Sequence, residues 1–192
     1  MDQLQRLAPG LRPPLFHSPY EAAAWSIISA RRNATQMTKV RASLCAEHGV
    51  AFDISGERVA AFPPPDVLRR ITQFPGLDAT KISRLHAVAV AASAGALDAS
   101  HLSLIGADTA MTELQQIPGI GPFYATLITV RAVGFADLAP AEEPRLLAIA
   151  GRLYGTGAPM SITEFTKLSE AWAPYRTWAS VLLRSTGPLL NN

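Results

Sequence analysis

The segment 114–122, with the sequence LQQIPGIGP, constrains the fold of this chain more than any other segment. Pro118 is expected to end one helix, because proline lacks the N–H that a continuing helix needs. Pro122 is typical of the first turn of a new helix, where that N–H has no partner in any case. Gly119 and Gly121 can adopt positive φ and allow another backbone to come close. The segment therefore predicts two helices joined by a tight turn.

The same turn carries two isoleucines, Ile117 and Ile120, at positions that are polar in most turns. We expect these side chains to pack the two helices together. The segment 123–133 that follows is apolar and rich in helix formers, which predicts a buried helix. Backbone N–H groups around two glycines at a helix start can bind a phosphate oxygen without reading the base. The alternative interpretation is an ordinary pair of antiparallel helices with a Pro/Gly break.

The chain has 192 residues, of which 48% are hydrophobic, enough for one domain or for two small helical lobes that share a core. Its net charge of +2 permits nucleic-acid binding without requiring it, since the local distribution of charge matters more. Taken alone, each basic cluster also fits a solvated helix face. The clusters are Arg31, Arg32, Lys39 and Arg41, and then Arg69, Arg70, Lys81 and Arg84.

Cys45 is the only cysteine, so no disulfide can form within the chain and a four-cysteine iron–sulfur cluster is excluded. The four histidines are scattered without ligand spacing, and we assign no metal site to them. No apolar run approaches the length that spans a membrane, and the N-terminus lacks the uninterrupted apolar core of a signal peptide. We therefore expect a cytoplasmic protein, nucleoid-associated if the source is bacterial, that does not bind membranes.

Along the chain, Ser18 or a neighbour is expected to cap a helix that runs from Tyr20 to about residue 31. A second amphipathic helix is predicted over 34–48, and a loop over 51–62. The first helix of the hairpin is predicted over 108–116, with Asp108 or Thr109 as its N-cap. No strand pattern of useful length is found, so the sequence predicts an all-α fold.

Three segments together resemble one family. The pattern L-x-x-I-P-G-I-G-P-x-x-A at 114–125 resembles the helix-hairpin-helix of the DNA glycosylase superfamily, which includes endonuclease III-type and alkylated-base (3-methyladenine) enzymes. The segment that begins SPYEAAAWSII at Ser18 resembles the family's opening helix. WAPYRTWA at 172–179 resembles its closing motif, W-x-P-[WY]-R-[ST]-x-A. The resemblance covers residues from about 18 to 186.

The resemblance implies an all-α, two-lobed helix-hairpin-helix glycosylase fold with a cleft between the lobes. The chain would form a single unit over 1–192. One lobe would run from roughly 34 to 134 and carry the hairpin at 114–125. The second lobe would combine roughly 1–33 with 135–192.

The family carries an essential aspartate about twenty positions after the last hairpin glycine. The alkylated-base branch places Glu143 there, so the carboxylate is kept but lies one methylene further from the backbone. Glu142 is a competing candidate. The alternative for both residues is a charged loop that caps the helix starting near Arg145. In the family, this carboxylate stabilises positive charge that develops on the sugar after the nucleotide is flipped out.

Other family positions also differ here. Glutamine is common near the end of the family's first helix, whereas this chain has Arg31 and Arg32. These arginines could hydrogen-bond a base, stack in the space left by flipping, or bind phosphate from outside. Lyase relatives have a lysine where Phe123 stands, so the resemblance implies an enzyme that cuts only the base–sugar bond. Phe123, Tyr124 and Trp25 are the candidates for a base pocket, with core packing as the alternative for each.

The sequence thus predicts a monomeric, monofunctional DNA glycosylase that hydrolyses the N-glycosidic bond of 3- or 7-methyl purines in double-stranded DNA during base excision repair. The resemblance allows a monovalent cation held by hairpin carbonyls, as some relatives have, and no other cofactor is expected. The alternative is a catalytically weakened or inactive helix-hairpin-helix DNA-binding protein. The predicted DNA-binding residues are Gly119, Ile120, Gly121, Arg31, Arg32 and Lys81.

Overall fold

A computed structural model describes residues 2–154 and 157–191, and the fold is predominantly helical, as predicted. The α-helices are α1 Asp2–Leu7, α2 Pro19–Ser29, α3 Ala34–His48, α4 Pro65–Leu68, α5 Ala79–Ser93, α6 Ala99–Leu104, α7 Ala107–Leu114, α8 Pro122–Ile128, α9 Pro144–Leu153, α10 Ile162–Ser169 and α11 Arg176–Thr186. The strands are β1 Ala51–Ile54 and β2 Glu57–Ala60. A π-helix, Thr129–Val133, extends α8, and two 3-10 helices, Glu170–Trp172 and Gly187–Asn191, flank α11. Within the described part of the chain, no helix is long and apolar enough to cross a membrane.

The apolar side chains form two cores. The larger core is built from α2 to α8 and the end of the π-helix, and the smaller core joins α1, α9, α10 and α11. We predicted that residues 1–33 would belong to the second lobe together with 135–192. Leu4 of α1 does pack in the smaller core, whereas Ile27 and Ile28 of α2 lie in the larger one. The apolar face of α2 is broad enough to be surrounded by α3, α5 and α8.

Helix α2 begins as its sequence predicts. The hydroxyl of Ser18 accepts a hydrogen bond from the backbone N–H of Glu21 at 3.2 Å, and Pro19 occupies the first turn. This arrangement is a helix N-cap followed by proline, which lacks an N–H at a position where an N–H would have no helical acceptor. The cap fixes where α2 starts. The other end of α2, at Ser29, lies beside the hairpin turn.

The segment predicted as a loop over 51–62 contains an antiparallel β-hairpin instead. Strands β1 and β2 pair Phe52 with Val59, and the turn residues Ser55 and Gly56 have φ values of 53° and 82°. Two consecutive residues at positive φ are typical of the turn that matches the twist of a two-residue hairpin. The Ser-Gly dipeptide was the available signal, but the strands are too short and exposed to show a clear alternation.

Helix α7 starts one residue earlier than predicted, at Ala107, and Gly106 rather than Asp108 or Thr109 occupies its N-cap. Gly106 has a φ of 80°, which places the cap in a conformation that favours glycine. Among the described residues, no side chain caps this helix start. The position of α7 is therefore set by packing and by the glycine.

Candidate DNA-binding cleft and carboxylate cleft

The hairpin turn joins α7 to α8 with its isoleucines inside the core. Ile117 and Ile120 are buried, which confirms that they pack the two helices together. The N–H of Ile120 donates to the carbonyl of Ile117 at 3.0 Å. Ile120 therefore has neither an exposed side chain nor an unbonded amide, and the prediction that it contacts DNA is not supported.

The two hairpin glycines have different conformations. Gly119 has a φ of 94°, in the left-handed region, whereas Gly121 is extended with φ −90° and ψ −179°. A Cβ at Gly119 would lie 2.6 Å from Cδ of Arg84 and 2.8 Å from Cδ1 of Ile27. A Cβ at Gly121 would meet nothing within 4 Å. Of the two hairpin glycines, the fold thus requires only Gly119, since Gly121 does not use the positive φ that glycine allows.

The backbone N–H groups of this turn are available to a ligand. Within the described part of the chain, the N–H groups of Gly119, Gly121, Phe123 and Tyr124 donate no hydrogen bond. The last three lie at the start of α8, where the helix dipole also favours a negative charge. Open space in front of Gly121 lets an anion approach closely. This geometry is suited to a phosphate oxygen.

The turn lies in a cleft of about 740 Å³, which we call the hairpin cleft. Arg31 and Arg32, at the end of α2, line this cleft together with the hairpin turn, so the structure brings these predicted residues together. Arg31 has a φ of 55°, and both arginines are exposed. The full lining is Ile27, Ala30, Arg31, Arg32, Asp78, Thr80, Lys81, Arg84, Gln115, Ile117, Pro118, Gly119, Ile120, Gly121 and Tyr124.

Lys81, although it borders the hairpin cleft, is a structural residue. Its Nζ donates to the carbonyls of Ile27 at 2.8 Å, Ile28 at 2.6 Å and Ala30 at 3.1 Å. These bonds use all three N–H groups, and the residue is only 8% exposed. Burial lowers the pKa of Lys81, an effect that the carboxylate of Asp78 partly opposes. The predicted role of Lys81 in DNA binding is therefore replaced by capping of the C-terminus of α2.

Arg84, a basic residue of α5, also lines the hairpin cleft, although the sequence did not predict it as a DNA-binding residue. It lies three positions after Lys81 on the same face of the helix, lines the hairpin cleft and packs against Gly119. The basic cluster around it was visible in the sequence. Its place in the lining of the hairpin cleft and its contact with Gly119 distinguish Arg84 from the other arginines of that cluster, and the sequence shows neither.

A second cleft, of about 450 Å³, lies on the other side of α8, between α8 with the π-helix and the helices α9 and α11. We call it the carboxylate cleft because Glu142 and Glu143 line it together with Phe123. Three of the predicted site residues thus share one cavity. The full lining is Pro14, Phe123, Thr126, Leu127, Val130, Arg131, Pro140, Glu142, Glu143, Leu146, Ser180, Val181, Arg184 and Ser185.

The carboxylate of Glu143 is held by three donors. Oε1 accepts from the backbone N–H of Arg145 at 3.2 Å. Oε2 accepts from the N–H of Leu146 at 2.8 Å and from Nε of Arg184 at 3.1 Å. Glu143 is the N-cap of α9, so the alternative interpretation of this residue as a helix cap is confirmed. Glu142 is exposed and forms no hydrogen bond or ion pair within the described part of the chain.

The aromatic candidates occupy different places. Phe123 lines the carboxylate cleft, whereas Tyr124 lines the hairpin cleft, and their rings pack edge to face at 5.2 Å. Burial raises the pKa of Tyr124, and the hydroxyl of Ser29 partly opposes that shift. Trp25 packs, partly buried, against the larger core and is not among the residues that line either cleft. Only Phe123 therefore lies with the glutamates.

The loop that leads to the glutamates is fastened by residues that we did not single out. Arg176 donates to both carboxylate oxygens of Asp137, each at 2.8 Å. Thr177 bonds the same loop through its hydroxyl, which donates to the carbonyl of Phe135 and accepts from the N–H of Leu138. These two residues are the Arg-Thr of the WAPYRTWA motif. The motif thus positions the loop that precedes Glu142 and Glu143.

Sequence comparison relates the chain to proteins named as a DNA repair enzyme and as a DNA glycosylase. No family model matches it. A probable bifunctional transcriptional activator/DNA repair enzyme AlkA of Mycobacterium tuberculosis is 29% identical over 182 residues, which cover 93% of this chain and 36% of that protein. A DNA-3-methyladenine glycosylase of Bacillus subtilis is 21% identical over 178 residues, which cover 91% of this chain and 59% of that protein. The chain therefore spans about a third of the length of the Mycobacterium tuberculosis protein and about three-fifths of the length of the Bacillus subtilis protein.

Solved structures show the same fold. The 3-methyladenine DNA glycosylase of Archaeoglobus fulgidus matches with a TM-score of 0.82 and 18% identity, over 98% of this chain and 65% of that one. The Schizosaccharomyces pombe 3-methyladenine DNA glycosylase Mag1, in complex with abasic DNA, matches with a TM-score of 0.77 and 21% identity, over 100% and 92% of the two chains. The predicted resemblance to helix-hairpin-helix DNA glycosylases, and the fold that it implies, are confirmed.

Proposed function

We propose that this chain, which has the helix-hairpin-helix DNA glycosylase fold, is a monofunctional DNA glycosylase that removes alkylated purines. The observation that carries the proposal is the pairing of two clefts across the first turn of α8. The amides of the hairpin face one cleft, and Phe123 lines the other together with the two glutamates. A strand held by its phosphates in the hairpin cleft could present a flipped nucleotide to the carboxylate cleft.

The chemistry assigned to the carboxylate cleft is hydrolysis of the base–sugar bond. Flipping the nucleotide costs a few kcal/mol, which is lowest for damaged bases. Phe123 provides an apolar surface for the extruded base, and a carboxylate near the sugar stabilises the positive charge that develops there. A purine methylated at N3 or N7 is already cationic, so it can depart without a general acid. Because Phe123 replaces a lysine, no amine lies there to attack the sugar.

A second candidate function is DNA binding without catalysis. One observation favours it: both carboxylate oxygens of Glu143 are engaged, and the charge of Arg184 opposes that of the carboxylate. A compensated carboxylate stabilises a cationic sugar less well than a free one. Glu142, which is unpaired among the described residues, is the alternative acid within the enzymatic proposal.

The test is base release from duplex DNA that contains 3-methyladenine or 7-methylguanine, with Glu143→Gln, Glu143→Asp and Glu142→Gln as variants. If Glu143 acts on the sugar, Glu143→Gln should lower the single-turnover rate by about 10²–10³-fold. Glu142→Gln should leave that rate within about threefold. The reverse ranking would assign the chemistry to Glu142. Absence of release by the wild type, with DNA binding intact, would favour the second candidate.

A further inference from the structure

A third cavity, of about 450 Å³, adjoins the carboxylate cleft and is surrounded by arginines. Arg145 and Arg152 contribute from α9, and Arg184 contributes from α11. Arg184 lines both this cavity and the carboxylate cleft, so the two spaces meet at its side chain. We call it the arginine cavity. Its full lining is Arg145, Ala148, Ile149, Arg152, Gly157, Ala158, Pro159, Arg184 and Pro188.

The charge in this cavity is of one sign. None of the lining residues is acidic. Arg145 and Arg152 are exposed, and their side chains form no hydrogen bond or ion pair within the described part of the chain. Only Arg184 has an acidic partner, Glu143. The guanidinium groups of Arg145 and Arg152 therefore have all their donors available to an anion, and phosphate is an anion that this geometry suits.

The spacing of the arginines fits a strand better than a single phosphate. Arg145 and Arg152 are seven residues apart on one face of α9, about 10 Å along its axis. Duplex DNA carries one phosphate per about 3.4 Å of axis on each strand, so a length of 10 Å passes about three of them. The two side chains can therefore contact different phosphates of one strand, which a free phosphate ion does not offer.

We propose that the arginine cavity binds the sugar–phosphate backbone of the DNA strand on the side of the carboxylate cleft remote from the hairpin. The inference rests on the proposed function insofar as it assumes that DNA is the ligand of the other two clefts. It adds a second phosphate-binding site, carried by the smaller core, to the one at the hairpin. The strand is then held on both sides of the nucleotide that enters the carboxylate cleft.

The test is the salt dependence of binding to an undamaged duplex of about 20 base pairs, measured by fluorescence anisotropy. Each arginine that neutralises one phosphate contributes about 0.9 to the slope of log K against log salt concentration. Arg145→Gln and Arg152→Gln should each lower the magnitude of the slope by about 0.9, and the double variant by about 1.8. Arg58→Gln, on the exposed β-hairpin, is the matched control and should leave the slope unchanged.

An unchanged slope in the double variant would overturn the inference. The inference would also be overturned if the double variant lost no more affinity than Arg58→Gln. A third contradicting result would be that Arg145 and Arg152 affect the binding of inorganic phosphate but not the salt slope of DNA binding. The experiment requires no base release, so its result is separate from that of the glycosylase assay. If the wild type releases no base but the arginine variants show lowered slopes, the phosphate-binding site is supported and the proposed glycosylase activity is not.

Discussion

At the scale of single residues, the two glycines of the hairpin have separate functions. Gly119 is required by the backbone, since its φ of 94° and the closeness of Arg84 and Ile27 leave no room for a side chain. At Gly121, neither the backbone conformation nor the surrounding space requires glycine, because this residue is extended and faces open space. The absence of a side chain at Gly121 therefore benefits an approaching ligand rather than the fold.

Substituting each glycine by alanine separates these functions. Gly119→Ala should lower the free energy of unfolding by about 1–2 kcal/mol or more, because a left-handed conformation and a steric clash both oppose the new side chain. Gly121→Ala should change it by less than about 0.5 kcal/mol. The same Gly121→Ala change should weaken DNA binding about tenfold at low salt, the effect of impairing one charge-assisted hydrogen bond.

Urea unfolding measures the first effect, and anisotropy with a labelled duplex measures the second. Each variant serves as the control for the other. If Gly121→Ala bound DNA as tightly as the wild type, the open space in front of this residue would have no part in phosphate binding.

At the scale of helices, the C-terminus of α2 depends on a residue from another helix. The three carbonyls at this end accept hydrogen bonds from Nζ of Lys81 on α5, so a side chain more than fifty residues away caps α2. This contact also fixes the turn at Arg31, which has a φ of 55° and lines the hairpin cleft. Lys81 thus supports the hairpin cleft that it lines, while its Nζ donors are used within the fold.

Lys81→Met should leave those carbonyls without a donor while keeping most of the apolar stem. We expect it to lower the free energy of unfolding by about 1–3 kcal/mol, the cost of leaving buried acceptors unpaired. Lys39→Met, on the exposed side of α3, removes the same charge and is the control. Equal urea midpoints for the two variants would contradict the capping role.

Local signals in the sequence predicted several helices and the hairpin but not Lys81. Ser18 is followed by proline and an apolar face, and the Pro-Gly pattern of the turn is short-range information, so both could be read directly. The partner of Lys81 depends on how α2 and α5 pack, which no local pattern contains. The β-hairpin was missed for a different reason, since its strands are exposed and alternate weakly. Arg184 was missed because its pairing with Glu143 joins residues 41 apart.

At the scale of the whole molecule, the last helix is tied back to the loop between the two cores. The carboxylate of Asp137 accepts from Nε and Nη2 of Arg176 and from its backbone N–H. These hydrogen bonds hold the pKa of Asp137 below its usual range. Such a group stabilises the fold above the pKa of the unfolded chain, about 3.9, and the stabilisation is lost as pH falls through the lower value in the folded protein.

Asp137→Asn should therefore lower the melting temperature most near neutral pH, and the difference from the wild type should shrink as the pH falls below about 4. Thermal denaturation followed by circular dichroism from pH 3 to 7 measures this. Asp66→Asn, which removes the acidic partner of an exposed ion pair with Arg70, is the control. A difference that stayed constant across this range would show that the ionised form of Asp137 contributes nothing to stability.

The edge-to-face contact between Phe123 and Tyr124 has a consequence for any attempt to redesign this molecule. Phe123 and Tyr124 are neighbours in one helical turn but line two different cavities. In the proposed function, a substitution in this turn would therefore change both DNA affinity and base selection. A redesign that aims to change the substrate range without changing DNA affinity would have to leave the first turn of α8 intact. The substitutions would instead belong on α11, which lines the carboxylate cleft with Ser180, Val181 and Ser185.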